Sequence, residues 1–216
     1  MTSTRVAAAN YLKQQMWVVA LYGVSGSGRC QCGKAKCGAP GQHPRGKRRQ
    51  SARHWPDDAN VGAMTGRESG LLALAAEGRA GQETVDLLRA GGFDLGPPAF
   101  ANRRWRFWLH KSPGSDLRLQ SVMIDVGLEC RAEGGCIPLP PSRIQGGVLT
   151  WKRPTNEELA TAPAWLVERA FLKAPRDGNV LDGAFHHTLV LDHSKRHPFE
   201  DGWTRLMRRH AEEVDK

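Results

Sequence analysis

The stretch GRCQCGKAKCGAPGQHPRGKRRQ (28–50) constrains this chain more than any other segment. It sets Cys30, Cys32 and Cys37 close together and follows them with His43. Gly33, Gly38, Pro40 and Gly41 lie between, so the backbone can bend tightly. Three soft thiolates and an imidazole are the donor set of a closed tetrahedral zinc site. Four protein donors leave no position for water, which makes the expected zinc structural. His54 competes with His43 for the fourth position. The remaining cysteines, Cys130 and Cys136, lie far downstream, and an odd total of five is not a disulfide framework. The expected zinc knuckle spans 29–45.

Charge points to the partner. The 216 residues carry 31 Lys plus Arg against 22 Asp plus Glu, a formal net charge of +9. Such a balance favours an anionic partner, with nucleic acid first among them. Lys47, Arg48, Arg49 and Arg53 cluster just after the knuckle, as phosphate contacts or as a solvated loop. The run RLMRRH (205–210) poses the same choice on a helix. No apolar run approaches the roughly 20 residues a membrane span needs. The N-terminal MTSTRVAAANYLKQQ lacks the layout of a secretory signal, so a cytoplasmic protein without a membrane partner is expected. Forty per cent hydrophobic residues suffice for a core without staples.

Periodicity predicts an α+β chain. Residues 5–16 read as a helix and 17–23 as a strand, with 24–54 as a basic loop. LLALAAE (71–77) reads as a strand because Gly70 and Gly78 bound so short a run. Residues 80–91 predict a helix closed by glycines. RRWRFWLH (103–110) predicts an aromatic strand. VGLECRA (126–132) and CIPLP (136–140) predict a hairpin around Gly134 and Gly135. GGVLTWKR (146–153) predicts one more strand. From Thr155 the pattern turns helical, so residues 1–154 are expected to form the α+β domain and 155–216 a helical C-terminal extension.

The order of these pieces carries a resemblance. PGQHPRG, then NVGAMTGRESGLL (60–72), an aromatic strand and EGGCIPLPPS (133–142) resemble the N-terminal primase–polymerase domain of the archaeo-eukaryotic primase superfamily. The bifunctional kind occurs in plasmids, phages and actinobacterial genomes. The resemblance covers roughly residues 5–170. It implies an RRM-like mixed or antiparallel catalytic sheet with an N-terminal α/β unit. It also implies a role in DNA replication by template-directed nucleotidyl transfer, with Mg²⁺ or Mn²⁺, DNA as single strand or primer-template, and nucleoside triphosphates. Many relatives continue into a helicase, which here would be a separate polypeptide.

Two-metal nucleotidyl transfer needs carboxylates that hold both cations. On a strand, acids at i and i+2 share one face, and a neighbouring strand adds a third. The resemblance places the first two at Ala75 and Glu77 and the third at Glu129. It places Arg106 where the family's histidine meets the triphosphate, and Ser142 and Arg143 near nucleotide phosphates. Ala75 offers no ligand, and Glu77 is the only acid of its strand, so the cluster is short of one carboxylate. Three functions fit: an active primase–polymerase, a degenerate member that binds nucleic acid or nucleotide without chemistry, and a protein-interaction module. The missing acid favours the second.

Overall fold

A capped helix opens the fold. In this computed structural model, which describes residues 3–49, 51–93, 95–113, 119–152 and 159–172, the Ser3 side chain accepts a hydrogen bond from the Val6 N–H at 3.3 Å. That satisfies one of the free donors at the start of α1 (Thr4–Lys13). The chain then forms β1 (Val18–Leu21), β2 (Pro44–Arg49) and β3 (Asn60–Met64). Next come β4 (Leu71–Glu77), α2 (Gly78–Ala90), β5 (Phe100–Ala101) and β6 (Trp105–Lys111). They are followed by β7 (Val122–Asp125), β8 (Leu128–Arg131) and β9 (Cys136–Pro138). Three short strands, β10 (Arg143–Ile144), β11 (Gly147–Val148) and β12 (Thr150–Trp151), precede α3 (Ala164–Leu172). The predicted α+β class is thus what the described residues form.

Two larger antiparallel sheets hold ten of these strands, and β10 and β11 pair by themselves. One has the order β2-β1-β3-β9 and the other β12-β5-β6-β4-β8-β7. Residues 71–76 of β4 are all buried, so both faces of the larger sheet are covered. Leu71, Ala73 and Ala75 join the core shared with α1 and the smaller sheet. Leu72, Leu74 and Ala76 join the core beneath α2 and α3. Period-two alternation therefore assigns the two faces without ambiguity. At Gly78 the chain passes from β4 straight into α2 with φ +63°, a conformation that favours glycine. Gly81 then lets α2 lie against the turn before β8: a Cβ there would stand 2.3 Å from the Gly127 carbonyl oxygen.

Four expectations are corrected. Residues 44–49, read as loop, form an edge strand of the smaller sheet, paired with β1. The hairpin over 126–140 does not exist: β8 pairs with β4 and β7, whereas β9 pairs with β3 in the other sheet. Thr65 fixes this crossing, its hydroxyl donating to the Ala132 carbonyl at 2.6 Å and its N–H to the Gly135 carbonyl at 2.9 Å. Residues 146–153 give two short strands, not one, because β11 folds back on β10 while β12 joins β5. Helix α3 starts only after Pro163, and it seats Leu166 fully buried against the larger sheet. The helix expected over the last residues, with its RLMRRH run, lies outside the described residues.

Candidate functional site

The knuckle assembles as a cluster. The ligand atoms of Cys30, Cys32, Cys37 and His43 all lie within 4.8 Å of one another. The His43 Nε2 stands 3.2 Å from the Cys30 Sγ and 3.4 Å from the Cys37 Sγ. Donors around tetrahedral zinc are separated by about 3.5–3.8 Å, so the set fits a zinc ion. The backbone draws Cys30 in through a bridge to Val24, and Gln31 donates to the Gly23 carbonyl at 3.0 Å. The Tyr22 ring lies 4.9 Å from the imidazole of His43 and holds it in place. The thiols are unequal. Burial pushes Cys37 up to about 12, and its neighbours Cys30 and Cys32 add to the rise. Burial also acts on Cys32, but the Lys34 backbone N–H, the two thiols and the Lys34 charge together hold it below the ordinary thiol value. Cys130 and Cys136 are buried thiols pushed up to about 12 and about 11 and stand apart from the cluster. His54 is not in it either, which closes the choice of fourth ligand.

The predicted acid positions share a face. Ala75 on β4 sits opposite Glu129 on β8, and Glu77 follows two residues later on the same side. That face is not free to bind cations. Ala75 is fully buried and ends in a methyl group. The Glu129 carboxylate is held by the Arg131 guanidinium, and the two side chains are 16 % and 7 % exposed. The Arg104 guanidinium holds the Glu77 carboxylate at 2.6 Å. Position 75 offers no carboxylate and both acids are engaged by arginines, so the residues present do not fit a two-metal centre.

Arg131 stands at the centre of this face, opposite Ala73. Its guanidinium lies over the rings of Trp105 and Phe107, 5.7 and 5.8 Å from their centroids. It donates to the Gln42 Oε1 at 2.9 Å and to the Cys136 carbonyl at 3.1 Å. Gln42 also accepts from the Cys136 thiol through its backbone carbonyl, and it directly precedes His43. The knuckle and the carboxylate face are thus joined through one side chain. The sequence reading assigned no role to Arg131 or to Gln42. The signal for the first was an arginine two residues from an acid on an inward strand. For Gln42 there was none beyond its place beside a ligand.

Other expected contacts fall elsewhere. Arg106 faces the α2 side, opposite Ala76, whereas Trp105 faces Glu77. Arg106 is therefore not the residue of β6 that meets the acid face; Trp105 holds that place. Trp105, Phe107 and Trp108 are all buried, so neither face of β6 offers a stacking platform. Ser142 is fully buried, and its hydroxyl accepts from the Val61 N–H at 2.9 Å and donates to the Val61 carbonyl at 2.7 Å. That hydroxyl fastens β3 rather than facing a nucleotide. Arg143 is exposed, and its backbone is gripped by Asn60 at 2.6 and 3.0 Å. Lys47, Arg48 and Arg49 lie on the edge strand β2, and their side chains are outside the described residues. No helix among the described residues is long and apolar enough to cross a membrane.

The family model for the bifunctional DNA primase/polymerase, N-terminal, matches residues 8–165, more than half of the chain. No curated protein matches it.

Proposed function

The chain belongs to the bifunctional DNA primase/polymerase N-terminal family, and on that premise we propose that it works in DNA replication by holding nucleic acid and nucleotide while its own two-metal nucleotidyl transfer is impaired. One observation carries the reading: Ala75, which has no ligand atom, pairs with Glu129, and the Glu129 carboxylate is taken by Arg131. A guanidinium lodged there supplies the positive charge that a divalent cation would otherwise bring. The larger sheet would be the RRM-like catalytic sheet of the family, and the smaller sheet with α1 its N-terminal α/β unit. Residues 1–154 would form the domain, and 155–216 an extension whose docked beginning is α3. A structural zinc in the knuckle, a cytoplasmic location, a plasmid or phage setting and a separate helicase complete the proposal. Lys47, Arg48, Arg49 and Arg143 remain candidate phosphate contacts within it.

Primer extension with dNTPs and Mg²⁺ or Mn²⁺, run beside binding to single-stranded and primer-template DNA, tests the reading. Expected is salt-sensitive binding without incorporation. Incorporation by the unaltered chain would overturn the impairment. Absence of binding at low salt would overturn the retained binding and favour a protein-interaction module.

A further inference from the structure

Arg106 has an unusual position. It lies on an interior strand, between Ala101 of β5 and Ala76 of β4, on the side that α2 and α3 cover. Its companions on that side, Trp108 and His110, are 2 % and 8 % exposed. A guanidinium on such a face loses hydration and calls for an anionic or hydrogen-bonding partner. Among the described residues, no ion pair or side-chain hydrogen bond engages Arg106 or its neighbour Arg103.

Both open onto one cleft of about 540 Å³ at the junction of β4, α2 and β6. Arg79 and Arg104 line it as well, with Gln82 and Glu83. Four arginines thus line the cleft with one carboxylate residue. That carboxylate is already held by Arg79 at 2.6 Å. Arg104 turns to Glu77 on the far side of the sheet, which leaves Arg103 and Arg106 as the uncommitted cations. The aromatic rings of β6 are buried, so the cleft has no surface on which a base could stack. An open, cationic, ring-free cleft suits a run of backbone phosphates better than a nucleotide.

We infer that this cleft, on the face of the sheet opposite Ala75 and Glu129, binds the phosphodiester backbone of single-stranded nucleic acid without regard to sequence. The inference rests on the nucleic-acid-binding reading above and names where that binding occurs. It requires no chemistry at the carboxylate face.

The test is fluorescence anisotropy of a labelled oligo-dT and a mixed-sequence oligonucleotide, titrated across salt concentrations. The proteins are the unaltered chain, Arg103→Gln/Arg106→Gln, the exposed single variant Arg103→Glu, and Arg5→Gln/Lys13→Gln on α1 as an equal charge loss. Circular dichroism confirms folding, and Arg103→Glu serves if the double variant does not fold. Expected is a several-fold weaker affinity for both cleft variants and equal losses on both oligonucleotides. The double variant's salt slope should be shallower by about 1.4, at about 0.7 per phosphate contact on a single strand. The α1 variant should bind like the unaltered chain. Unchanged binding by the cleft variants overturns this inference alone, and so does an equal loss in the α1 variant. Loss of dATP binding without loss of oligonucleotide binding assigns the cleft to a triphosphate and overturns it too. An unaltered chain that binds no oligonucleotide defeats the binding reading and this inference with it.

Discussion

The cysteine–histidine cluster and the carboxylate face lie one residue apart through Gln42 and His43, yet they stand in opposite conditions. In the first, four donor atoms converge to within 4.8 Å of one another. In the second, the donors face the same way but are already spent, Glu129 on Arg131 and Glu77 on Arg104. Residue type alone would rate both as metal sites. What separates them is what the donor atoms face: in the cluster one another, on the sheet a guanidinium. Converging thiols become thiolates when a metal ion takes their protons, whereas a carboxylate bound by a buried guanidinium has lost its need for a cation.

The largest effect expected from this contrast concerns metal content. The purified chain should carry stoichiometric zinc by elemental analysis, and Cys37→Ser or chelation should remove it and sharply lower the melting temperature. Structural zinc in small peptides binds with about 10–16 kcal/mol. Mg²⁺ or Mn²⁺ added to the unaltered chain should leave the melting temperature where it was. A marked stabilisation by either would mean that the carboxylate face binds cations after all.

Next in size is the pair at the centre of that face. Arg131→Met strands Glu129 in a site where its side chain is 16 % exposed, which should cost about 3–5 kcal/mol in chemical denaturation. Adding Glu129→Leu should restore much of this, because both charges are then gone. A single variant as stable as the parent would show that Arg131 is not what neutralises the face.

The smallest effect lies away from both regions. Ser142→Ala leaves the buried Val61 N–H and carbonyl without their hydroxyl, at a cost of about 1–3 kcal/mol. Oligonucleotide affinity should not change. A fall in affinity with unchanged stability would return Ser142 to the nucleotide-facing role that the sequence suggested.

The legible parts of the fold were the ones whose cause is local. Glycines at 70 and 78 bounded β4, and the Ala-rich start formed α1. The misread parts depended on distant partners. Residues 44–49 are basic and carry no apolar alternation, so only β1 makes them a strand. Residues 126–140 read as neighbours in a hairpin, but β8 pairs with β4 and β7 while β9 pairs with β3 in the other sheet. Arg106 was misplaced for a related reason. One residue of register decides which face a side chain takes, and only pairing with β4 fixes that register.

By itself the sequence determined the zinc-type donor set, the basic balance, the α+β class and the absence of a carboxylate at position 75. All of these follow from residue identity and short spacing. Only the tertiary structure decided that Arg131 occupies the carboxylate face, that Gln42 ties it to the knuckle, and that Arg103 and Arg106 open onto the opposite side. Each of those depends on which strands pair and in what register, and pairing between segments far apart in the chain leaves no local trace.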